Sequence, residues 1–158
     1  MDMKNILKLI ASLVICYLAA RIGAVSTSTS IQTWYVTLNK PFFIPPNWLF
    51  APVWLTLYTL MGISLFLIWR QGYHHPQVKI ALAIFGVQLI LNTFWSIAFF
   101  GFRSLLAGLI VILFLWIAIA VTIITFLPLS KPAGLVLIPY ILWVSLAAVL
   151  NAAIVVLN

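Results

Sequence analysis

Acidic residues are all but missing from this chain. Asp2 is the only one among 158 residues, against eight Lys and Arg, and the formal net charge is +7. A single carboxylate offers no pair for general acid–base catalysis and no intramembrane Asp or Glu to carry protons. Charge of either sign is scarce. Only 6% of residues are charged and 66% are hydrophobic, with a mean hydropathy of +1.26. A soluble domain is roughly half apolar and about a quarter charged, so this composition cannot cover a water-soluble globule. It excludes a soluble enzyme, a nucleic-acid-binding domain and a disordered chain. The basic residues are scattered singly and form no stripe, which excludes a phosphate-tracking surface and a nucleic-acid partner. The one cysteine, Cys16, excludes an intramolecular disulfide and leaves the redox compartment unread. A Gly-rich phosphate loop, a nucleophile elbow and a CxxC pair are also missing. His74 and His75 have no third ligand nearby, and adjacent side chains on a helix point apart, so no metal site is predicted.

What the chain has instead is long apolar runs. A bilayer-spanning helix needs about 20 mostly apolar residues. Five stretches qualify, at residues 6–25, 49–69, 78–100, 105–127 and 135–157. Their backbone amides must be bonded internally in lipid, and no alternation suggests a β-barrel, so helices are predicted. The fold class is therefore an all-α integral membrane protein, a single five-helix bundle over residues 1–158. Short links carrying Arg70 to Pro76, Gly101 to Ser104 and Pro128 to Pro132 force neighbouring helices antiparallel. Ser104 is placed to cap the fourth helix, and Pro52 and Pro139 are read in first turns, where proline is tolerated. The first run also has signal-peptide features, Lys4 and Lys8 before it and Ala24-Val25-Ser26 after it. Its length and Arg21 favour an uncleaved helix.

The long connection, residues 26–48, opens with a Ser/Thr cluster. Ile31, Trp34, Tyr35 and Leu38 then follow at i, i+3, i+4 and i+7, which predicts a short amphipathic helix, ended by Asn39-Lys40-Pro41. Pro45-Pro46 stiffens the path onward. With Trp34, Tyr35, Phe42, Phe43 and Trp48, this segment reads as a lid over the helix ends; an aromatic belt at headgroup level is the alternative. Lys4, Lys8, Arg70, Lys79 and Lys131 lie on the N-terminal side, against Arg21, Lys40 and Arg103 opposite. That balance favours an N-terminus in the cytoplasm, by a small margin.

Polar groups at membrane depth are costly and default to functional hypotheses. Gln88 and Asn92 share one face of the third helix, with Trp95 beyond. The fifth carries Tyr140, Trp143, Ala147 and Asn151, and the second Trp54 and Tyr58. If these stripes converge, they form an apolar slot with a few donors and acceptors, the usual make-up of a small-molecule pocket. Taken singly, each has an ordinary structural role: Asn92 as interhelical glue, a tryptophan as packing. On the first helix, Ala19/Gly23 and Ala20/Ala24 permit close approach, either within the monomer or in a dimer.

Several segments together carry a likeness to a known family. Thr33-Trp34-Tyr35-Val36-Thr37-Leu38-Asn39-Lys40-Pro41, Pro45-Pro46-Asn47-Trp48-Leu49-Phe50 and Val53-Trp54-Leu55-Thr56-Leu57-Tyr58 resemble the TspO/MBR family. These are the tryptophan-rich sensory proteins and the translocator protein, or peripheral-type benzodiazepine receptor. The likeness continues through Gln88, Asn92-Thr93-Phe94-Trp95-Ser96, Phe99-Phe100-Gly101, Trp116, Pro139-Tyr140-Ile141-Leu142-Trp143 and Asn151. The resemblance implies five transmembrane helices, a homodimer, and a ligand cavity under the first loop. Its ligands would be porphyrins such as protoporphyrin IX and haem, isoquinoline or benzodiazepine-type drugs and, in animal members, cholesterol. The binding residues implied here are Trp34, Phe42, Pro45, Pro46, Phe50, Trp54, Tyr58, Gln88, Asn92, Trp95, Phe99, Tyr140, Trp143 and Ala147. Trp54 and Trp143 match tryptophans proposed to act in light-dependent porphyrin breakdown. The chain departs from relatives at Phe42 and Phe43, where tryptophan is common, and at Val36 and Thr37, where acids are usual. The sterol motif expected late in the last helix needs Tyr and a following basic residue, and no basic residue follows Lys131. Leu67, Tyr73 and Lys79 fit its loose pattern elsewhere, as do Val14, Tyr17 and Arg21. Cholesterol is not predicted as the native ligand.

The leading expectation is a membrane receptor or carrier for planar hydrophobic ligands, tetrapyrroles foremost, requiring no cofactor. The alternatives are a light- and oxygen-dependent porphyrin-degrading enzyme and a regulatory membrane subunit that binds a partner protein. Alternating-access transport finds no support in inverted repeats or mid-membrane helix breaks.

Overall fold

A computed structural model describes residues 2–158. Six helices follow in order: α1 (Met3–Ser30), α2 (Asn47–Trp69), α3 (Pro76–Ser96), α4 (Leu105–Phe126), α5 (Lys131–Leu135) and α6 (Ile138–Leu157). A 3₁₀ turn (Tyr35–Thr37) lies in the first connection, and a π turn (Ile97–Gly101) extends α3. Five segments are long and apolar enough to cross a membrane: α1, α2, α3 with its π turn, α4, and α5 with α6. Among the described residues there is no strand.

The helix limits depart from the sequence expectation for identifiable reasons. α1 continues five residues past Val25 because its Ser/Thr cluster returns hydroxyl protons to the preceding turn: Thr27 Oγ1 donates to Gly23 O and Thr29 Oγ1 to Ser26 O. The expected amphipathic helix after residue 30 shrinks to turns and the 3₁₀ segment. Its apolar face survives, since Ile31, Trp34, Tyr35 and Leu38 all pack in one cluster with Phe99 and Ile154. α2 starts at Asn47, so Pro52 stands inside the helix, in its second turn, rather than in its first. The fifth span breaks into α5 and α6 at Val136–Leu137, where Pro139 has no N–H to continue the ladder. Ser130 caps α5 by accepting from Ala133 N–H, and Ser104 caps α4 by accepting from Ala107 N–H.

α1 packs on α2 and α3, α3 on α4, and α4 on α6, while α5 wedges against α2 and α4. Ser64 Oγ of α2 donates to Ala133 O of α5 at 2.7 Å, in full burial. Close approach depends on glycine at two crossings. A Cβ on Gly62 would lie 2.7 Å from Leu13 Cδ2, and one on Gly108 would lie 2.7 Å from Phe99 and 3.0 Å from Asn151 Oδ1. The solid core fills the N-terminal side, with Met61, Ile68, Phe85, Leu115, Ile119 and Phe126 buried. The loop-side half is hollow.

Candidate ligand cavity

The hollow is a cavity of about 440 Å³ among α1, α2, the end of α3 and α6, beneath the first connection. α2 contributes Asn47, Phe50, Ala51, Trp54, Leu55 and Tyr58. α3 and its π turn contribute Trp95, Ser96, Phe99 and Phe100, and α6 contributes Ala147, Leu150, Asn151 and Ile154. The fourth wall is α1, with Ala20, Gly23, Ala24, Thr27 and Ser28, and Ile31 and Tyr35 close the top.

The aromatic lining is continuous. Trp54 lies 5.9 Å from Tyr58 and stacks on Trp95 at 6.1 Å; Trp95 stacks on Phe99 at 5.8 Å. Phe99 meets Trp34 and Tyr35 edge-on, at 5.6 and 6.2 Å. These offset and edge-to-face geometries suit the ring quadrupoles. The π turn matters to this arrangement. Phe102 N–H donates to Ile97 O across five residues, and the extra residue in the turn lets consecutive Phe99 and Phe100 both reach the cavity. Ser30 Oγ donates to Phe100 O at 2.7 Å, bonding the end of α1 to that irregular backbone.

The floor is polar and fully bonded on its cavity side. Tyr58 Oη donates to Asn92 Oδ1 at 2.5 Å, Asn92 Nδ2 donates to Tyr140 Oη at 2.7 Å, and Tyr140 Oη donates to Gln88 Oε1 at 2.9 Å. Three helices are tied by this chain. It commits the Tyr58 proton to Asn92, so that hydroxyl can only accept from a ligand. Trp95 Nε1 donates to Asn151 Oδ1 at 3.4 Å, and Asn151 Nδ2 to Leu105 O at 3.0 Å, at the start of α4. The Gln88 Nε2 and Trp143 Nε1 donors are buried and unpartnered within the protein.

Among the residues singled out from sequence, Phe50, Trp54, Tyr58, Trp95, Phe99 and Ala147 line the cavity. Gln88, Asn92 and Tyr140 form the bonded layer beneath it. Trp143 stands behind Phe50, ring to ring at 5.7 Å. Trp34 buttresses Phe99 from the lid. Pro45 and Pro46 lead into α2 without forming wall. Phe42 does not reach the cavity: it is 99% exposed, its ring against Phe43 at 5.4 Å. The sequence reading missed the α1 wall. Its signal was the small residues Ala20, Gly23 and Ala24, read there only as helix-contact positions.

One contact stiffens the lid internally and another ties it to the end of α6. Lys40 Nζ sits 4.7 Å over the Tyr35 ring. Asn39 N–H donates to Asn158 Oδ1, Asn158 Nδ2 donates to Asn39 O, and Asn39 Nδ2 donates to Leu157 O. Burial pushes the Tyr35 phenol above its ordinary pKa, so the top of the cavity holds a neutral ring.

With this geometry, the sequence comparisons are decisive. The model of the TspO/MBR family matches residues 11–157. The chain belongs to the TspO/MBR family. It is 47% identical to the tryptophan-rich protein TspO of Archaeoglobus fulgidus, over 98% of this chain and 99% of that protein. It is 35% identical to the tryptophan-rich sensory protein of Cereibacter sphaeroides, over 89% and 87%. To the human translocator protein it is 35% identical, over 75% and 70%. Membership of the TspO/MBR family and the five apolar spans make it a multi-pass integral membrane protein.

Proposed function

We propose that this chain is a membrane receptor or carrier that takes planar hydrophobic ligands, tetrapyrroles foremost, into the cavity under its first loop. The observation that carries the reading is the continuous ring surface of Tyr58, Trp54, Trp95 and Phe99 along a cavity of about 440 Å³. Small-molecule sites run about 300–1,000 Å³, mostly apolar with a few placed polar groups. Here those groups are Tyr58, Asn151, Ser96 and Thr27. The names of relatives, sensory protein and translocator protein, support a sensing or transport role. A second copy in the bilayer belongs to the same reading.

Protoporphyrin IX titrated in the dark tests it, followed by the Soret band of the bound pigment. Saturable binding is expected. Trp54→Ala and Ala147→Phe should each weaken it about tenfold or more, since one lost aromatic face or one filled subsite costs on the order of 1.4 kcal/mol. Phe42→Ala should leave it unchanged. Non-saturable uptake, or equal affinity in all three variants, would overturn the assignment.

A second reading is favoured by the stacked Trp54–Trp95 pair, which sets two oxidisable indoles side by side on the cavity wall. In that reading bound porphyrin is degraded with light and oxygen. The same sample under illumination should yield a new absorbing product, lost in Trp54→Phe/Trp95→Phe protein. Equal bleaching in that variant would sink it.

A further inference from the structure

At the other end of the bundle an open groove of about 490 Å³ runs between α1, α2 and α3, lined by Ile15, Leu65, Trp69, Tyr73 and Leu82. The lining is apolar, and its rim is cationic. Lys8 Nζ donates to the carbonyl of Trp69 at 3.4 Å, and Lys79 Nζ lies 5.2 Å over the ring of Tyr73. Both ammonium groups are thus fixed to residues that form the groove. An ammonium has three donors, so each keeps N–H groups free for another oxygen. Arg70, next in sequence to Trp69, lies over the Phe66 ring at 5.9 Å.

Nothing in the chain balances this charge. Lys4, Lys8, Arg70, Lys79 and Lys131 share this side with one acid, Asp2, the only one in the sequence. The first turn of α3 carries no acid either. Ile15 lies seven residues along α1 from Lys8, about 10 Å deeper at 1.5 Å per residue. The groove therefore starts at the cationic rim and descends about two helical turns into the apolar span. That is the shape of one acyl chain below one negatively charged headgroup. Basic pockets between helices at a membrane face take anionic lipid headgroups.

We propose that this groove binds an anionic phospholipid of the leaflet on the N-terminal side. Lys8 and Lys79 hold its phosphate, and Ile15, Leu65 and Leu82 hold the upper part of an acyl chain. The site is separate from the loop-side cavity and does not depend on the ligand proposed there.

The test is competition between phosphatidylglycerol and phosphatidylcholine of matched chains, added in equal amounts to the purified full chain and read by native mass spectrometry. Each carries a phosphate, and only the first carries net charge. The expected result is a preference for phosphatidylglycerol of roughly tenfold or more, given two lysines near the headgroup. Lys8→Gln/Lys79→Gln should bring it close to parity. Lys4→Gln/Lys131→Gln, which removes as much charge from the same side, should keep the preference. Ile15→Trp, a substitution at an exposed groove position, should lower retention of both lipids. Absence of preference in the unaltered protein would overturn the proposal. So would equal loss in the two double variants, which would mark a diffuse charge effect. Displacement of the lipid by soluble glycerol phosphate at equal concentration would also overturn it, because the groove would then contribute nothing.

Discussion

On the N-terminal side of the Tyr58–Asn92–Tyr140–Gln88 chain the helices interlock. Phe85 stacks on Phe126 at 5.9 Å, and Met61, Ile68, Leu115 and Ile119 are sealed from solvent and lipid. On the loop side the same helices carry Ala20, Gly23, Ala51 and Ala147 at inward positions, and aromatic rings line the space those small residues leave. Backbone separation is set once for each pair of helices, so side-chain size decides locally whether the gap is core or cavity. Lipid supplies no hydrophobic drive between helices. Stability then rests on the half where contacts are dense, and binding is open to the half where they are sparse.

The sharpest way to break that contrast is to cut an aromatic ring in each half. Phe85→Ala should cost about 3–5 kcal/mol, the usual loss for a buried Phe with a residual cavity. Phe50→Ala should cost about 0.5–1.5 kcal/mol, the worth of its edge contact with Trp143. Reversible unfolding in mixed micelles reads both. Equal losses would mean that the loop-side half is as tightly integrated as the core.

The boundary layer should respond between those extremes. Asn92→Ala strands the buried Tyr58 hydroxyl and takes from Tyr140 the bond it accepts, leaving Tyr140 only its bond to Gln88. An unmade buried hydrogen bond costs about 1–3 kcal/mol, and interhelical bonds in membranes run lower, at about 0.6–2 kcal/mol. A loss of about 2 kcal/mol is expected, with weaker porphyrin binding because the Tyr58 hydroxyl loses its fixed orientation. Tyr140→Phe keeps the Tyr58–Asn92 bond but leaves Asn92 Nδ2 and Gln88 Oε1 without partners, so it should cost a similar amount in stability yet leave binding close to normal. If it weakens binding as much as Asn92→Ala, the layer acts as a unit rather than through Tyr58.

Much of this contrast is readable from residue order alone. The five spans follow from apolar length. Gln88 and Asn92 fall four apart on one face, and that face does meet Tyr58 and Tyr140. The lid's apolar spacing at Ile31, Trp34, Tyr35 and Leu38 marks a packed face although the helix itself is not continued. What stays hidden is whatever depends on a partner element. Ala20 and Gly23 look the same whether a neighbour fills the notch or leaves it empty. The π turn at Ile97–Gly101 has no proline to announce it, and it decides that both Phe99 and Phe100 face inward. Phe42 looks like a pocket residue by its type and its neighbours, yet the turn after Pro41 carries it outward.

The smallest expected effect falls at the lid clasp. Asn158 closes a reciprocal amide pair with the backbone of Asn39, and a water-accessible bond of this kind contributes at the low end of about 0.5–1.5 kcal/mol. Asn158→Ala should therefore leave global stability nearly unchanged. The lid's packing face also stays seated, because Tyr35 remains against Phe99 and Phe100. Only the stretch around Asn39 loosens, keeping the single bond from Asn39 Nδ2 to Leu157 O. Amide exchange there should rise about fivefold, matching the loss of roughly 1 kcal/mol of local protection from two such bonds, while exchange in α2 and α3 holds steady. Ligand release should quicken by a few-fold with little change in association. Unchanged exchange at Asn39 would show that the aromatic face, and not the amide pair, holds the lid down. The hollow half would then be closed by the same ring-to-ring packing that lines it.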